Sequence, residues 1–178
     1  MLGRIANANW QAYNAAIKRP CSDFGLTPFR ARGFDGTETI EMRYRGGMCY
    51  IYALAYQKVF GGELMGYYIR TLRDRDGSKF VIRAPRMPVI VHAGVLIDGE
   101  VNDITGSTVA GDMGRYTPYA KRGRPGRFVR QDLLFEQDAS GSTARRHVTE
   151  AVRIVEMLAD LASTPFADEG DGGFAMAA

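Results

Sequence analysis

Cysteine and histidine are nearly absent from this chain: Cys21, Cys49, His92 and His147 are the whole supply among 178 residues. Two cysteines cannot make a disulfide framework, and two histidines cannot complete a Cys/His zinc cluster with them. No metal or other cofactor is therefore expected. Nor is there an unbroken apolar run of about 18 residues, so no segment is expected to span a membrane. The opening stretch MLGRIANANWQAYNAAIKRP places asparagines and charges where a signal peptide needs an apolar core. The expectation is a cytoplasmic protein, with signal-less export left open. Charge of one sign is scarce too. The formal net charge is only +3, and the excess of arginine over lysine is an ordinary effect of genome composition, although the guanidinium fork also suits anionic partners.

What is present suffices for one domain with a full hydrophobic core. Residues 4–18 carry Ile5, Ala6, Trp10, Tyr13 and Ile17 near helical spacing, and Pro20 should stop that helix. Residues 21–37 read as irregular loop with at most one short strand. TETIEMRYR alternates, with Ile40, Met42 and Tyr44 on one side, and reads as a strand running into Gly46 and Gly47. Residues 48–60 lack Pro and Gly, are apolar almost all round, and read as a buried helix closed by Gly61 and Gly62. ELMGYYIRTLR, KFVIR, MPVIVHAGVLI and EVNDITG read as successive strands, with RFVRQDLLF a further candidate. A last helix follows, TARRHVTEAVRIVEMLADLA, capped by Ser142 or Thr143, with Val148, Val152, Val155, Leu158, Ala159 and Ala162 on one stripe. The order implies an α+β fold, helices packed on an antiparallel sheet.

The chemistry centres on RYRGGMCYIYALAYQKVFGG. A helix beginning near Met48 puts Cys49 in its first turn, where unpaired N–H groups and the positive end of the dipole favour a thiolate. Gly46 and Gly47 should let the backbone bend and leave room for substrate, so Gly47 is a candidate substrate-binding position. A thiol needs a base, and His92 lies in the otherwise apolar VIVHAGVLI, on the face expected to carry Ile90, Gly94 and Leu96. Hairpin register supplies the third group. If Asp98 and Gly99 form a two-residue turn, Ile97 pairs with Glu100, Gly94 faces Asp103 and His92 faces Thr105. Asp103 then points to the face of His92, one diagonal step away, with Gly94 leaving space for carboxylate and imidazole to meet. Nucleophile, base and orienter are thus expected from Cys49, His92 and Asp103.

GGMCYIYALAYQKVFGGEL, HAGVLIDG and VNDITG also resemble the successive Cys, His and Asp blocks of the papain-like superfamily, most closely its transglutaminase-like and arylamine N-acetyltransferase-like branches. The resemblance covers residues 43–106, about a third of the chain. It implies a papain-like fold in which Cys49 opens a central helix as nucleophile, His92 is base and acid, and Asp103 orients it. No Gln precedes Cys49 at the place of the papain-type oxyanion donor, so the backbone N–H of Cys49, with a side chain from Gln11, Asn14 or Tyr44, is expected to serve. On this reading residues 1–163 form one catalytic domain and residues 164–178 a flexible tail.

Segment 114–130 concentrates Arg115, Lys121, Arg122, Arg124, Arg127 and Arg130 around Tyr116 and Tyr119. It reads first as an exposed flexible loop. It could also grip single-stranded nucleic acid, or act as a lid whose arginines hold an acidic substrate over Cys49. Arg122 and Arg124 are the candidate substrate contacts. His147 reads as a solvated helix residue and Cys21 as structural. Asp74 and Asp76 lack the later ligands of a calcium loop, and GGELMG is not followed by the Gly-Lys-Ser/Thr of a phosphate loop.

The expected activity is attack on an amide or ester carbonyl through an acyl-enzyme, resolved by water in a peptidase, amidase or deamidase. The partner is then a protein, peptide or small amide substrate. Two alternatives stand beside it: an acyltransferase or transglutaminase-like cross-linker, and a non-catalytic module that binds through the basic segment. The sequence does not set the oligomeric state.

Overall fold

A computed structural model of the chain describes residues 9–26, 37–69, 71–73, 79–81, 89–109, 112, 124–127 and 142–164. Asn9 caps the first helix, α1 (Trp10–Ile17), by accepting from the Ala12 N–H at 3.0 Å. The helix stops ahead of Pro20 as expected, and Cys21–Phe24 adds a single 3₁₀ turn. Residues 1–8 and 27–36 lie outside the described residues.

TETIEMRYR is not a strand. It forms a second helix, α2 (Ile40–Gly46), whose N-cap Thr39 accepts from the Met42 N–H at 3.2 Å. Ile40, Arg43 and Tyr44 are buried while Met42 is exposed, which is i, i+3, i+4 spacing and not alternation. Glu41 and Arg45 pair one turn apart at 2.9 Å, with the acid near the N-terminus and the base near the C-terminus. Three alternating apolar positions were too few to separate the two periods. Gly46 accordingly ends a helix, and the N–H groups of Gly47 and Met48 both return to the Arg43 carbonyl. That double return sets where α3 (Cys49–Phe60) begins.

Helix α3 is apolar almost all round, as its sequence requires, because it touches both the sheet and the final helix, α4 (Ser142–Ser163). On α4, Ala151, Ile154, Val155, Leu158 and Ala162 form the buried stripe. The strands are β1 (Glu63–Ile69), β2 (Thr71–Arg73), β3 (Lys79–Val81), β4 (Val89–Ile97), β5 (Glu100–Asp103), β6 (Gly106–Val109) and β7 (Arg124–Arg127). Among the described residues they make a five-stranded sheet in the order β6-β5-β4-β1-β7 and a separate β2-β3 pair, all antiparallel. This is an α+β architecture. No described helix is long and apolar enough to cross a membrane.

The β4–β5 turn is the predicted one. Ile97 pairs with Glu100, and Asp98 and Gly99 both have positive φ, 52° and 87°, as a type I′ turn demands. Strand β6 was missed. It follows a second two-residue turn, Ile104–Thr105, across which Asp103 pairs with Gly106. The basic segment is described only at residues 124–127, and these form edge strand β7, not a loop. The expected strand from 127 to 135 lies outside the described residues beyond Arg127, as do Arg122 and the tail from residue 165.

Candidate active site

Cys49 is the first residue of α3 and 8% exposed. Its N-cap, Met48, offers no side-chain cap, and the N–H groups of a helix's first turn have no acceptor within the helix. The thiol therefore sits at the end of the helix where partial positive charge gathers. Gly47, just ahead, is exposed, and a Cβ placed on it would meet nothing within 4 Å. Its φ of 178° is open to any residue. The bend does not require glycine, contrary to expectation, and the space around Gly47 itself is open.

His92 reaches this helix start from β4 through a bulge. Tyr67 pairs with His92 but the next residue of β1, Tyr68, pairs with Ile90, so Val91 is the extra residue. The bulge also corrects the expected alternation: Ile90 and His92 lie on opposite faces, because their partners are neighbours on β1. Gly94 and Leu96 do keep the row of His92, opposite Met65 and Glu63.

Asp103 meets His92 as the register argument required. Its Oδ2 lies 2.7 Å from Nε2, in a pair with 1% and 3% side-chain exposure. Gly94 serves a different purpose from the one expected. A Cβ there would lie 2.6 Å from the Val101 side chain and 2.8 Å from the Asn102 carbonyl oxygen. The missing side chain lets the backbone of β5 press onto β4, and so brings Asp103 within reach of the ring.

With Nε2 taken by Asp103, Nδ1 is the ring nitrogen left to the thiol, and Cys49 is close enough to the same imidazole to raise its proton affinity. Burial alone would lower the pKa of His92. The hydrogen bonds and charges of Asp103 and Cys49 outweigh it and raise the value to about 9. The carboxylate and the sulfur thus both favour the protonated ring.

Two neighbours escaped the sequence reading. Thr105 donates to Asp103 Oδ1 through both its backbone N–H and its hydroxyl, each at 2.7 Å. Tyr13 of α1 donates its hydroxyl to the Ile104 carbonyl at 2.9 Å. An Asp whose side chain caps a turn two residues on is a recognisable local signal, and Asp-Ile-Thr-Gly fits it. The Tyr13 contact spans the chain and left no such signal.

The other candidates lie as follows. Tyr44 is buried against Tyr52, among Arg43, Cys21 and Glu150. Gln11 and Asn14 are exposed on α1. Arg124 is exposed on β7, opposite Tyr68 and two strands from His92. His147 contacts Glu150 at 3.2 Å. Cys21 is buried beside Glu38 and Arg43. Burial, with the Glu38 charge, pushes its thiol up to about 11 despite Arg43. No group of three or more His, Cys, Asp or Glu among the described residues is arranged to hold a metal ion. Compared with known proteins, the chain matches no family model, no curated protein and no solved structure.

Proposed function

We propose that this chain is a papain-like cysteine enzyme that attacks an amide or ester carbonyl and hydrolyses the resulting acyl-enzyme, as a peptidase, amidase or deamidase does. The observation that carries the reading is one buried imidazole that meets the Asp103 carboxylate at 2.7 Å and whose proton affinity is raised by the helix-start thiol of Cys49. Cysteine opening the central helix, histidine on a strand and aspartate on the next strand is the order a papain-like core implies, and it supports that assignment.

In this mechanism the Cys49 proton resides on Nδ1 of His92, and the thiolate adds to the carbonyl carbon. The carbonyl oxygen becomes an oxyanion facing the first-turn N–H groups of α3. Collapse breaks the bond to the leaving amine or alcohol, which takes the Nδ1 proton. Water then gives a proton to Nδ1 and attacks the thioester, releasing the acid and restoring the thiol. Asp103 keeps the other face of the ring fixed throughout. An amine in place of water would make the same site an acyltransferase or a transglutaminase-like cross-linker.

Mass spectrometry after exposure to a panel of acyl donors and amide substrates tests the reading. An acyl adduct is expected on Cys49 and not on Cys21, and absent in Cys49→Ala. Salt-dependent binding to anionic partners with no adduct would instead favour a binding module that uses arginines such as Arg124 and Arg127.

A further inference from the structure

We infer that Thr105 is a positioning residue of the site: by holding one oxygen of Asp103 it commits the other to His92. The inference rests on the acyl-enzyme reading above and adds the group that sets its geometry.

The β4–β5 ladder ends at Val95 and Asn102, so Asp103 is not held by pairing with β4. Its carboxylate is free in principle to turn about a broad, two-fold torsion. Thr105 removes that freedom. Its N–H and its hydroxyl converge on Oδ1, both at 2.7 Å, while Oδ2 faces Nε2 of His92 at 2.7 Å. Rotating the carboxylate would break three bonds to a charged acceptor in a site that is 3% exposed. The turn that carries Thr105 is itself fixed. Asp103 pairs with Gly106 across it, Gly106 holds a φ of 111°, and Tyr13 ties the Ile104 carbonyl to α1 at 2.9 Å. The hydrogen bonds that Thr105 donates both go to Asp103, and it acts through that carboxylate.

Two measurements on Thr105→Val and Thr105→Ser test this. The first is the downfield proton resonance of His92 Nε2–H. The second is the alkylation rate of Cys49 by iodoacetamide as a function of pH, read by peptide mass. Valine keeps the shape and the backbone donor but loses the hydroxyl. It should shift or broaden the resonance and lower the rate at pH 6.5 about tenfold, the scale of one hydrogen bond to a charged group. At pH 9.5, where an unassisted thiol is ionised, the rate should stay within about twofold. Serine should restore both readouts. Ser107→Ala, which removes a 2.8 Å bond to Asn102 Oδ1, should change neither. Thr105→Ala makes the same comparison if valine disturbs the turn. A hydroxyl-free variant with the wild-type resonance and pH profile would overturn the inference while leaving the triad standing. Absence of the resonance from the wild-type protein would overturn both.

Discussion

Asp103→Asn is the sharpest test of the site, because the structure says which way the new amide must face. The Thr105 backbone N–H can only donate, and it lies 2.7 Å from Oδ1. An amide at position 103 must therefore turn its oxygen to Thr105 and its NH₂ to His92. Two N–H donors cannot face each other, so Nε2 must give up its proton and any remaining proton sits on Nδ1. That is the wrong tautomer to accept from Cys49. The charge that opposed burial is lost as well, so His92 should fall from about 9, with only Cys49 left to oppose burial. Each unit of that fall corresponds to roughly 1.4 kcal/mol of imidazolium stabilisation. Not all of it need appear in the rate, because a thiolate–imidazolium pair relies on the carboxylate less than a neutral serine–histidine pair does. A loss of at least about tenfold in acylation, or ~1.4 kcal/mol, is expected. The assay is Cys49 alkylation and acyl-adduct formation at pH 7, with the His92 ring titrated by NMR in both proteins. Equal reactivity with an unchanged His92 titration would refute the orientation argument and remove Asp103 from the site. The companion change Asp98→Asn should be silent, since Asn-Gly serves the same turn.

Three further outcomes follow from the same geometry. His92→Ala should abolish turnover while His147→Ala leaves it unchanged, as steady-state assays on any substrate found would show; a fully active His92→Ala protein would end the triad reading. Gly94→Ala should destabilise the fold by about 1–3 kcal/mol in urea unfolding, because its Cβ must displace the Asn102 carbonyl at 2.8 Å; an unchanged midpoint would contradict the close approach of β5. The pKa of His92 is raised from 6.5 to about 9 by folding, so its contribution to stability is complete below about pH 6.5 and disappears as the pH rises through 9. Urea midpoints should fall between pH 6 and pH 9 in the wild-type protein and fall less in Asp103→Asn, and parallel curves would exclude His92 as the cause.

The sequence by itself determined the features that depend on local chemistry. Gly61 at φ 73° closes α3, and Pro20 stops α1, whose start at Asn9 lies later than the residue-4 start that the spacing suggests. Asp98-Gly99 fixes the β4–β5 register, which turns Asp103 to the face of His92, although the ladder itself ends at Val95 and Asn102 before the expected pairs of Gly94 with Asp103 and His92 with Thr105. A run with no Pro, no Gly and no polar face could only be a central helix, which put Cys49 at its mouth. Tertiary structure decided the rest. Ile40, Met42 and Tyr44 alternate as a strand would, and burial of Ile40, Arg43 and Tyr44 with Met42 left exposed selected the helix. Nothing in VIVHAGVLI announces the bulge at Val91, since it exists only through pairing with β1. Gly94 could be read as space for the site, but only the fold shows that the space is filled by Asn102 and Val101. Thr105 and Tyr13 became visible last. Their contacts converge on one turn of the chain, and such convergence belongs to packing in three dimensions and not to spacing along a strand.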